Sequence, residues 1–184
     1  MLQRSRHGAR LQGTPADNRL VPQRASALTE EFDRQVGAFR RCVEQLGADQ
    51  MSLTGVNTPG PRFMDTDEAR SLNVIAYHVP SFLPRHVASA RARAEGNPPP
   101  PTDAHAINAA EAAERADVTP SEALARLDVE APKAREFLAG LTDEQLDRIV
   151  QMPMGEMPLE QLIRMVLIGH LEQHRKSIEA TISG

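Results

Sequence analysis

Apolar side chains recur every three or four positions along four long stretches of the chain, the spacing that puts them on one face of an α-helix. The first stretch is SALTEEFDRQVGAFRRCVEQLG, residues 26–47, with Leu28, Phe32, Val36, Phe39 and Val43 in one stripe and Gly47 as a stop. The second is predicted to start near Thr66–Asp67 and to end at Gly96, carrying Leu72, Ile75, Val79, Phe82 and Leu83. Pro80 and Pro84 fall inside it. Each removes a backbone donor and crowds the carbonyl four residues back, so a kink or break is expected near Val79–Leu83. The third opens at Thr119-Pro120-Ser121-Glu122, a capping box with proline at the first helical position, and stops at Gly140. A bend is expected at Pro132. The fourth runs from Pro158 to about Ile182.

The connections are long. Residues 48–65 are rich in Gly, Pro and Thr and read as a loop. Residues 97–118 form a crossover, with an extended proline run followed by a short Ala-rich helix at about 105–116. LTDEQLDRIV reads as another short helix, and QMPMGEM as a turn. Segments rich in Val, Ile, Thr or aromatic residues are few, so strands are hard to find. The predicted fold is all-α: a four-helix bundle with crossover connections.

Composition changes this picture little. The 184 residues suit one domain. The domain is taken as residues 25–184, preceded by a basic tail, residues 1–24, with five Arg against one Asp. The whole chain has a net charge of −4. An acidic balance without a basic face argues against nucleic acid as a partner. No apolar run approaches the roughly 18 residues a membrane span needs, and the N-terminus lacks the apolar region of a secretory signal. The single cysteine, Cys42, excludes an internal disulfide and reads as a buried structural thiol. Together these features point to a cytoplasmic protein.

The candidate chemistry lies in the histidines. His170 and His174 are four apart, so both leave one face of the last helix. Counting at helical spacing puts them in line with Ile163, Val166 and Ile178. His78 lies between Ile75 and Phe82, again on an apolar stripe. A buried imidazole needs a partner for each nitrogen. One answer is hydrogen bonding within the core. The other is a divalent cation held by all three rings, since inward residues on facing helices of a bundle converge. Three ligands would leave positions open for water or substrate, as catalytic sites do. The HExxH pattern of zinc proteases is absent, since Leu171 and Glu172 follow His170. His86 is roughly 80° around the helix from His78 and is expected to face solvent. His105, on the crossover, is a candidate substrate contact, as are Arg85 and Arg175, whose guanidinium forks suit a carboxylate.

These residues resemble the DinB-like superfamily, which includes the metal-binding domain of mycothiol-dependent maleylpyruvate isomerases. Members often open the second helix with Trp-Ser and place the first metal histidine seven residues after that serine. Ser71 precedes His78 by seven, with Arg70 at the tryptophan position. The final helix matches with His170, His174, Arg175 and Ile178, and LTDEQL and the Thr-Pro cap are similar as well. The resemblance spans about residues 25–183. It implies a divalent metal, zinc or nickel, on His78, His170 and His174, frequent homodimers, and in some branches S-transferase or isomerase chemistry with a low-molecular-weight thiol. The alternative is a non-catalytic bundle that binds metal, dimerises or docks a partner.

Overall fold

The computed structural model describes residues 23–56 and 70–184. Residues 1–22 of the basic tail and the expected helix start at Thr66–Asp67 lie outside them. Helix α1 spans Gln23–Glu44, α2 Leu72–Ala94, α3 Ala104–Glu114, α4 Pro120–Ala139 and α5 Asp143–Asp147. A two-stranded ribbon follows, β1 Ile149–Met152 and β2 Gly155–Pro158, antiparallel with Val150 opposite Met157. The last helix is compound: α6 Leu159–Ile163, a π-helical stretch Arg164–Gly169, and α7 His170–Ser183.

The predicted stripes form the core. Leu28, Phe32, Phe39 and Val43 of α1 are buried, as are Leu72, Ile75, Val79 and Leu83 of α2 and Leu127, Ala134 and Leu138 of α4. Cys42 is buried among them, and burial pushes its thiol up to about 11, which makes it inert at neutral pH. Helices α1 and α2 both pack on α4, and both pack on α7. The order around the bundle is therefore α1, α4, α2, α7, with the sequence neighbours α1 and α2 on a diagonal. That arrangement requires crossover connections and is the predicted all-α four-helix bundle. Among the described residues, no helix is long and apolar enough to cross a membrane.

Local chemistry explains the helix ends. Thr119 and Glu122 form the predicted capping box of α4, and Thr142 with Gln145 forms a second at α5. The start of α2 is fixed by the preceding loop. Leu72 N donates to Leu53 O at 2.9 Å and Asn73 N to Met51 O at 3.0 Å, satisfying two donors that a helix N-terminus leaves open.

Several expectations are corrected. α1 begins at Gln23, so Gln23 and Arg24 are helix rather than tail; Arg24 reaches Glu160 and Asp147. α2 is not broken at Pro80 or Pro84. Burial of its apolar stripe holds it together where two backbone hydrogen bonds are lost. The turn expected at QMPMGEM is the tip of a hairpin: Gly155 has φ +124°, a conformation that an L side chain resists, and Ile149 and Val150 supply β-branched strand residues.

Candidate metal centre

The site lies on the seam between α2 and α7, with α3 crossing outside it. His78 comes from the middle of α2, His170 and His174 from the start of α7. The π-helical turn just before His170 adds a residue to the helical repeat. It buries Leu167 and leaves Val166 half-buried, so the stripe from Ile163 reaches His170 in a different phase from the even 3.6 spacing used above.

The structure brings the three histidines together, with His78 buried and the other two half-buried. His170 Nε2 stands 3.2 Å from His78 Nε2 and 3.1 Å from His174 Nε2. Three ring nitrogens of one kind thus point at one small volume. Neutral imidazoles cannot all satisfy one another there, because each Nε2 is either a donor or an acceptor. Tetrahedral coordination at 2.0–2.1 Å would separate such nitrogens by about 3.3 Å. The donor set therefore fits a divalent cation of the kind that favours nitrogen ligands.

The protonation state also fits. Burial holds His78 below its ordinary value, outweighing the opposing pull of Glu111. Burial, then neighbouring histidines, holds His170 and His174 well below theirs. Arg70, immediately before α2, adds its positive charge to the same effect on all three. The rings are neutral at pH 7, the form that ligates.

Sequence reasoning missed two residues. Glu111, on the Ala-rich α3, accepts a 2.6 Å hydrogen bond from His78 Nδ1 and another from Ser81 Oγ. Burial alone would raise its carboxyl, but His78 and Ser81 bring it below the usual carboxylate range. An ionised Glu111 forces the proton of His78 onto Nδ1 and leaves the Nε2 lone pair facing the cluster, the relay by which carboxylates orient metal-binding histidines. His86 is the second, and it corrects the expectation of a solvent-facing ring. It is half-buried, 5.0 Å from the His170 ring centroid and 5.8 Å from that of Phe82. An offset of roughly 80° still falls within the apolar sector of a helix, which is about 100° wide or more.

The remaining candidates are placed as follows. Arg85 is exposed, its guanidinium 5.7 Å from the Phe82 ring centroid. Arg175 is held by Glu179 at 2.6 and 2.7 Å. His105 is exposed at the start of α3.

The sequence model of the DinB superfamily matches residues 85–178, 94 of the 184 residues, and the chain belongs to that superfamily. The matched stretch contains His170 and His174, while His78 precedes it. Among solved structures, the chain is similar to YfiT from Bacillus subtilis, described as a probable metal-dependent hydrolase with an unusual four-helix bundle topology. The TM-score is 0.66 at 17% identity, over 94% of this chain and 93% of that one. It is also similar to an uncharacterized protein from Clostridium difficile 630, with a TM-score of 0.61 at 12% identity over 89% and 98% of the two chains. At these identities the likeness is one of fold. No curated protein matches the chain.

Proposed function

We propose that the chain is a divalent-metal-dependent enzyme acting on a small molecule, with His78, His170 and His174 as the protein ligands. The observation that carries this reading is the convergence of three neutral Nε2 atoms, one of them set in its tautomer by Glu111. Zinc and nickel are among the cations that imidazole ligands suit. When bound, such a cation lowers the pKa of a thiol or water at its open positions and so supplies a nucleophile at neutral pH.

The chain's own residues do the rest. Glu111 and Ser81 hold His78. Phe82, 4.1 Å from the His78 ring centroid, keeps that side of the site apolar. Arg85, His105 and Arg175 remain the proposed substrate contacts.

Two reactions suit this arrangement. The first is transfer or isomerisation with a low-molecular-weight thiol, which the superfamily resemblance supports. The second is hydrolysis, favoured by the description of YfiT. The chain would work as a homodimer. The test is to load the protein with zinc or nickel and assay it on activated esters without thiol, and on small electrophiles with and without a thiol. Thiol-dependent turnover supports transfer, and thiol-independent cleavage supports hydrolysis. A metal-loaded protein inert in both assays is a binding module instead.

A further inference from the structure

The orientation of His78 has a visible cause in Glu111, but that of His170 has none of the same kind. A histidine that ligates through Nε2 carries its proton on Nδ1, and that N–H needs an acceptor. His170 Nδ1 is buried and has no hydrogen-bond partner. His86 Nε2 is also buried and also has none. The two rings stand at 78° to each other with centroids 5.0 Å apart. His86 is not among the three histidines whose nitrogens converge. Two orphaned polar atoms, one requiring an acceptor and the other able to be one, thus occupy neighbouring rings.

We propose that His86 is the positioning residue for His170: its Nε2 accepts, directly or through one water, the proton on His170 Nδ1 when His170 ligates a cation. This rests on the metal reading above. His86 is fitted to the role. Phe82 packs against both His78 and His86, at 4.1 and 5.8 Å between centroids, and so fixes the ligand ring and the supporting ring on α2 together. The centre then has two supports, a carboxylate behind His78 and an imidazole behind His170. An imidazole donates less charge than a carboxylate, so His170 is the less basic of the two supported ligands.

The experiment measures zinc affinity by competition with a chromophoric chelator, for the wild type, His86→Phe and His86→Gln. Phenylalanine keeps a packed ring and removes the acceptor. Glutamine loses the ring and keeps an acceptor. Loss of an outer-shell partner is expected to weaken binding by about 10–100-fold in His86→Phe, with His86→Gln restoring most of it. In the zinc-loaded protein, the His170 Nδ1–H proton resonance should be sharp and protected from exchange in wild type and His86→Gln, and lost in His86→Phe. Thermal melts of the metal-free variants check that each folds. A ring that only packs predicts the reverse order, so zinc bound as tightly by His86→Phe as by wild type, with the proton still protected, overturns the inference alone. A wild type that takes up no zinc overturns the metal reading and this inference together.

Discussion

Removing the carboxylate behind His78 separates orientation from ligation, because Glu111 does not face the cation. In the structure it accepts from His78 Nδ1 at 2.6 Å and from Ser81, on a site only 12% exposed. Glu111→Gln keeps a carbonyl that can accept the same proton, so the tautomer of His78 survives and only the charge assistance is lost. A hydrogen bond to a charged group is worth about 1.5–3 kcal/mol against about 0.5–1.5 for a neutral one. The difference, about 1 kcal/mol, corresponds to roughly fivefold weaker metal binding. Glu111→Ala leaves a buried Nδ1–H with no partner and frees the ring to turn, and should cost about 10–100-fold. Zinc dissociation constants from chelator competition should therefore rank wild type, Gln, Ala, from tightest to weakest. Equal affinities for wild type and Glu111→Ala would refute the assignment of Glu111 as the group that orients His78.

Two further outcomes follow from the same structure. The metal-free protein should lose stability on acidification, because histidines whose folded pKa is depressed stabilise above the unfolded value, near 6.5, and lose that contribution as pH falls. His86, pushed down to about 4, accounts for up to about 3 kcal/mol between pH 6.5 and 4, with His78, His170 and His174 adding in the same direction; melting temperatures that do not fall between pH 7.5 and 4.5 would contradict this. Leu127→Ala, at a fully buried position of α4, should cost about 2–5 kcal/mol in urea unfolding. It should leave zinc stoichiometry unchanged, since α4 supplies no ligand.

The bundle was legible because its helices are amphipathic and capped by local rules. Leu28, Phe32, Phe39 and Val43 are spaced for one face and are buried on one face. The Thr119–Glu122 box is read from four adjacent letters. The three histidines were legible because His78 lies between apolar positions of α2 and His170 and His174 share one face of α7, and inward positions on packed helices meet. Glu111 was not, because it lies 33 residues from its partner in an Ala-rich helix with no apolar stripe to say which face docks. His86 was misjudged because its angle around α2 was weighed as a departure from His78 rather than as a place within one broad sector. The π-helical turn at Arg164–Gly169 carries no local marker that distinguishes it from an ordinary helix. The hairpin at Ile149–Pro158 is too short for a periodicity argument, and only its tip was read, as a turn.

The central claim is that His78, His170 and His174 hold one divalent cation. The most direct measurement is metal content by mass spectrometry of the purified protein and of His78→Ala and His170→Ala, before and after reconstitution with zinc or nickel. The account predicts close to one equivalent in the wild type and its loss in both variants, while all three retain helical circular dichroism. A wild type that stays empty after reconstitution, or a variant that keeps its metal, would contradict it.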